Sequence, residues 1–202
     1  MNKIEEIASI SGSGAEYAQY YAKYLSETLS ELDFQAIEEV IEVLKKARAR
    51  GNSIFFIGNG GSMATASHFA EDLAYGTRTE GKKPFRALSL SDSSYLTAAA
   101  NDEGYENVFV TQLKNLLKPQ DVVITISASG NSPNLIKAIE YANRNGGISI
   151  GLLGFDGGKM KEICHHCILV KTMKGEYGPV EDTHLILVHI ITTYLKHVIQ
   201  DE

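Results

Sequence analysis

The chain has 202 residues, 44% apolar and 22% charged, with a net charge of -6. That length buries a full core in one domain, and the acidic balance disfavours a nucleic-acid-binding face. No apolar run approaches the roughly 20 residues needed to span a bilayer, so no membrane association is expected.

The start, "MNKIEEIASISGSG", lacks the basic head and apolar middle of a secretory signal, which makes a cytoplasmic location the expectation. The first periodic stretch is "EYAQYYAKYLSETLSEL", where Tyr17, Tyr20, Tyr21, Tyr24 and Leu25 recur on one helical face. In "DFQAIEEVIEVLKKARARG", Ile37, Val40, Ile41 and Leu44 form the stripe, basic residues fill the last turns, and Gly51 marks the stop. Neither leads into a strand before Ile54. Residues 1–51 therefore read as an N-terminal helical hairpin ahead of an α/β core over 52–202. The tyrosine-rich face is either core or subunit interface.

From Ile54 onward, strand-like and helix-like runs alternate. Strands are predicted over 54–57, 85–90, 122–126, 148–153 and 167–170. Helices are predicted over 62–74, 94–100, 107–117, 134–145 and 180–199. Most of the strands are short continuous apolar runs, as in a parallel sheet covered on both faces. The rhythm implies one domain built on a doubly wound parallel five-stranded sheet, with ligands at the carboxyl ends of its strands.

Two cysteines give no disulfide framework. Cys164 and Cys167 enclose two histidines in "CHHC", but a structural zinc site needs a second ligand pair and no second cysteine pair exists. The stretch is expected to be a helix-to-strand connection.

The turn "IGNGGSMATASHFAEDLAYG" follows the first strand. A dinucleotide fingerprint fails here because its last glycine would fall on Met63, and a nucleotide triphosphate loop fails for want of a lysine. What remains is Asn59-Gly60-Gly61, with Ser62 starting a helix whose free N–H groups could meet an anion or a polyol. The later run "DVVITISASGNSPNLIKAIEYA" ends a buried strand in Ser127, Ser129, Gly130, Asn131 and Ser132 before Pro133. Ser132 suits the N-cap and Pro133 the first helical position. Hydroxyls and helix-terminal N–H groups without a cation fit a phosphate monoester on a small metabolite.

With both loops in view, the chain resembles the SIS (sugar isomerase) domain family, and within it the sedoheptulose 7-phosphate isomerases, or phosphoheptose isomerases. The matching stretches are "GNGGSMATASHFAEDL", "ANDEGYENVF", "SASGNSPNLIKAI", "GFDGGKM" and "VEDTHLILVHII", which span nearly the whole chain. The resemblance implies a Rossmann-like single SIS domain and a cytoplasmic homotetramer with active sites near subunit contacts. It implies reversible conversion of a seven-carbon ketose phosphate to the aldose phosphate, a step that supplies heptose for surface polysaccharide. It also implies a divalent metal, zinc first, held by His68, Asp72, Glu181 and His189. The phosphate would lie on Ser62, Ser127, Ala128, Ser129 and Ser132, beside the turn Asn59, Gly60 and Gly61. Asn59, Asn101 and Asp102 would face the sugar hydroxyls, with Glu181 at the substrate. Asp72 and His189 would transfer the proton, with Glu181 as substitute if Asp72 only ligates.

His68 and Asp72 are four apart and share a helix face. Glu181 and His189 are eight apart, about 12 Å along a helix, so both reach one ion only by leaning together or from different subunits. His189 lies in "HLILVHIITTYL", apolar on nearly every face, where an imidazole must be hydrogen-bonded or ligated. Read alone, it is a core or interface histidine.

Several positions depart from the best-known isomerases. Asp72 stands for Glu, Glu181 for Gln, Ala128 for Thr, and Gly178 for an acid near the sugar. A non-catalytic relative, a sugar-phosphate sensor or a replication-initiator-binding tetrameric adaptor, would need the sheet and the tetramer, with or without the serine loop, but not the metal and acid set.

Overall fold

The computed structural model describes residues 1–202. Its helices are α1 (Lys3–Ile10), α2 (Gly14–Ser30), α3 (Phe34–Arg50), α4 (Gly60–Glu71), α5 (Ser93–Glu103), α6 (Val110–Leu116), α7 (Pro133–Arg144), α8 (Met160–Ile163) and α9 (Tyr177–Asp201). Its strands are β1 (Ser53–Gly58), β2 (Arg86–Ser89), β3 (Val122–Ser127), β4 (Ile148–Gly154) and β5 (His166–Val170). They form one sheet in the order β2-β1-β3-β4-β5, with every pairing parallel.

Alternation along the strands feeds two apolar layers. Ile54, Phe56, Ile124 and Ile126 pack with α3, α4 and α9, whereas Phe55, Ile57 and Val123 pack with α6 and α7. Both faces of the central strands are covered, as the continuous apolar runs imply. The edge strand β2 differs: Arg86 and Leu88 are exposed, so only its inner residues belong to the covered sheet. Strand order reverses between β1 and β3, which opens a crevice at their carboxyl ends. The loops after β1 and β3 are the glycine turn and the serine loop.

The two expected N-terminal helices are present as α2 and α3, and α1 precedes them. Periodicity does not show α1, but a capping box does: the Glu5 N–H donates to Asn2 Oδ1 at 2.9 Å and the Asn2 N–H to Glu5 Oε2 at 3.0 Å. The tyrosine face of α2 lies against α9. Tyr21 donates to Asp182 Oδ2 at 2.5 Å, and Tyr24 to Glu176 Oε2 at 2.7 Å. Burial, then these carboxylates, push both phenol pKa values upward. Glu176 is buried and also accepts from the N–H groups of Lys3 and Met173, so it ties α1 and α2 to the start of α9.

Three element boundaries depart from the periodic pattern. The helix expected over 62–74 passes after Glu71 into a π turn, Asp72–Gly76. The one expected over 107–117 splits into a 3-10 turn, Tyr105–Asn107, and α6. The last helix begins at Tyr177, because Pro179 is tolerated in a first turn that needs no N–H partner. Of the "CHHC" stretch only Cys164 and His165 form the connection from α8, whereas His166 and Cys167 open β5, and both cysteines are free. Burial pushes the Cys164 thiol up to about 12, which marks it as inert.

Candidate active site

The N-termini of α4 and α7 meet at the crevice between β1 and β3. Asn59 is the N-cap of α4 and Ser132 that of α7, with Pro133 at its first position. Both helices have twelve residues, so two partial positive charges converge on the crevice. In the serine loop Gly130 has φ 61°, and a Cβ there would lie 1.9 Å from the Gly157 carbonyl oxygen. Only glycine lets this loop lock against the one after β4.

The serine hydroxyls are left able to donate. Ser127 Oγ accepts from the Gly130 N–H at 3.1 Å and Ser129 Oγ from the Asn131 N–H at 3.3 Å, leaving both O–H groups free. The Ser132 side chain makes no cap bond at all. With Asn59, Ser62, Ala128, Tyr177 and Glu181, these serines line a hollow of about 200 Å³. Glu181 is the only charged side chain in that lining. Its Oε2 would be 2.8 Å from a Cβ on Gly61, so the bare backbone of α4 admits the carboxylate. There the positive helix end favours it.

Not every expected residue lines the hollow. The Asn59 carboxamide is committed: it exchanges hydrogen bonds with Asn134 at 2.8 and 3.1 Å and accepts from Tyr105 Oη at 2.8 Å. It fixes the turn through its carbonyl oxygen and one N–H, and leaves the second Nδ2 hydrogen without a protein partner. Asn101 and Asp102 are exposed on α5, bonded to each other, and Asp102 lines a different hollow with Tyr95. Tyr177 and Tyr105 were not foreseen. Tyr177 precedes the apolar run of its helix, and Tyr105 sits in the unpredicted 3-10 turn.

The second cluster lies farther along α4. One ligand atom each from His68, Asp72 and His189 falls within 4.8 Å of the others. Asp72 Oδ2 is 3.4 Å from His68 Nε2 and 4.0 Å from His189 Nε2, and the two imidazoles meet edge to face at 5.2 Å. Tetrahedral ligands about 2.0–2.1 Å from one ion sit about 3.4 Å apart, so these three side chains fit a divalent cation with little adjustment. Asp72 opens the π turn, a local distortion frequent at functional sites.

Glu181 is not part of this cluster within one chain. Gly61 faces Glu181, and His68 and Asp72 face His189, so α4 and α9 run in the same direction. Eight residues of α9 then separate the hollow from the cluster by about 12 Å of helix rise.

His189 is also not the buried imidazole that its apolar surroundings imply. Its side chain is 51% exposed, on the open side of α9. The buried one is His184, whose two ring nitrogens have no hydrogen-bond partner. Burial pushes its pKa down to about 4; the Leu153 backbone, near but outside hydrogen-bond geometry, opposes this shift. Five residues apart on a helix, the two rings point to different faces.

Residues 16–154 match the SIS domain family. The chain is similar to a phosphoheptose isomerase of Fusobacterium nucleatum subsp. nucleatum, 36% identical over 82% of this chain and 84% of that one. It is likewise 40% identical to a phosphoheptose isomerase of Trichlorobacter lovleyi, over 79% of this chain and 81% of the other. In three dimensions it resembles the phosphoheptose isomerase GmhA from Neisseria gonorrhoeae, with a TM-score of 0.79, 28% identity, and coverage of 89% and 96% of the two chains.

Proposed function

Because the chain belongs to the phosphoheptose isomerase family of SIS-domain proteins, we propose that it interconverts D-sedoheptulose 7-phosphate and D-glycero-D-manno-heptose 7-phosphate. The observation that carries this reading is the pairing of a cation-free anion hollow with a His–Asp–His cluster along the same two helices. An open-chain heptose 7-phosphate carries its phosphate at one end and its carbonyl at the other. The separation along α9 suits such a substrate.

The phosphate sits against the free hydroxyls of Ser127, Ser129 and Ser132, with Ser62 and the N-termini of α4 and α7 behind them. Ala128 contributes backbone only. Glu181 repels a phosphate dianion and so takes the sugar side, where a carboxylate accepts from hydroxyls. At the far end, a proton must leave one of the two reacting carbons and return to the other. Asp72 and His189 are the carriers within reach of each other, whereas Glu181, about 12 Å of helix rise away on α9, does not reach that end within one chain. His68, Asp72 and His189 would hold a divalent ion, zinc first, which when bound would supply Lewis acidity at the carbonyl oxygen.

Exposed Tyr20 on α2 and Ile190 and Tyr194 on α9 favour burial in an assembly, for which we take a homotetramer in the cytoplasm. The aldose phosphate would feed surface polysaccharide. Following a panel of five- to seven-carbon ketose phosphates by NMR with metal-loaded protein tests the assignment. Conversion of the seven-carbon ester supports it. A protein that binds that ester but leaves it unchanged is a receptor or adaptor, and the isomerase reading then fails.

A further inference from the structure

Beyond the hollow and the cluster, the face formed by the segment after the π turn carries a concentration of positive charge. Arg78 and Lys82 from that segment and Lys196 from α9 surround a cleft of about 710 Å³. Glu80 is the only carboxylate in its lining, and none of the three cations takes part in an ion pair. Nearby Glu202 is held by Arg48 at 2.8 and 2.9 Å. The lining thus carries three cations against one carboxylate on a chain of net charge -6, with Glu202 close enough to act on Lys82. Thr79 adds a hydroxyl, and Tyr75, 71% exposed, adds an aromatic face at the rim.

We propose that this cleft binds a diphosphate group, with Arg78, Lys82 and Lys196 on its oxygens. Three cations lining one cleft can meet oxygens on both phosphoryl groups of a diphosphate, more acceptors than a monoester offers. The serine hollow, with no cation, has the opposite preference. The cleft is also wired to the reactive end. Thr77 is buried, and its N–H donates to the Asp72 carbonyl at 3.0 Å while its hydroxyl donates to the Leu73 carbonyl at 2.7 Å. A ligand that pulls on Arg78 therefore pulls on the turn that aims Asp72. This last effect, a change in turnover, rests on the isomerase reading; the binding does not.

Calorimetry of inorganic pyrophosphate with the full protein is the test, using Arg78→Ala/Lys82→Ala and, separately, Ser129→Ala/Ser132→Ala. The expected result is saturable binding at one site per chain, weakened about tenfold or more in the first variant and kept in the second. Equal heats in all three proteins, loss in the serine variant alone, or no saturable binding to the wild type each overturn the proposal. Circular dichroism melts confirm that the variants are folded. A nucleoside diphosphate that binds more tightly than pyrophosphate, with the advantage removed by Tyr75→Ala, assigns a nucleotide stacked on that ring. Equal affinities assign the bare diphosphate.

Discussion

The two ends of the α4–α9 pair are built on opposite plans. At the N-terminal end, recognition comes from backbone: two helix starts, a glycine turn, and hydroxyls held by loop N–H groups. At the far end it comes from three side chains on open surface, with Asp72 24% and His189 51% exposed. A backbone cradle is formed once the sheet is formed. Side chains on open surface depend on what binds them, or on a neighbouring subunit, to hold their positions.

Breaking the side-chain end has the largest expected effect. Asp72→Asn and His189→Ala should each lower turnover by about 10²–10⁴-fold and reduce bound divalent metal, while phosphate affinity stays near the wild-type value. Solvent-deuterium incorporation at the reacting carbons measures this directly, and wild-type exchange in both variants would refute the assignment.

His184 sits on the buried side of α9 between the two ends, so its protonation should damage both together. Its folded pKa of about 4 is below the usual 6.5, so the unfolded chain binds the proton more readily. Stability is complete above about pH 6.5 and is lost progressively as pH falls toward about 4, by about 3 kcal/mol. Urea unfolding at several pH values should show that slope, and His184→Leu should flatten it.

Weakening the backbone-built end gives a different signature. Ser129→Ala/Ser132→Ala should raise KM for the sugar phosphate about tenfold, because each lost hydroxyl removes a charge-assisted bond, and should leave kcat nearly unchanged. An equal fall in kcat would mean that the two ends are not separable. The smallest effect is expected at the latch from α2. Tyr21→Phe removes the bond to Asp182, next to Glu181, and should cost about 1 kcal/mol of stability by thermal melt with only a slight rise in KM.

Sequence alone determined the five-strand parallel sheet, the helix start at Ser132, and the pairing of His68 with Asp72, whereas the helix read from Ser62 begins at Gly60 with Asn59 as its cap. Each of these is written in local pattern: apolar runs, cap residues and four-residue spacing act over a few residues and need no distant partner. Tertiary structure decided which histidine of α9 is buried and that Glu181 joins the hollow and not the His–Asp–His cluster. Those outcomes depend on which face of a helix meets the sheet and on how α9 lies along α4. Both are set by packing between separate elements, α4 and α9 more than a hundred residues apart, which no local spacing records.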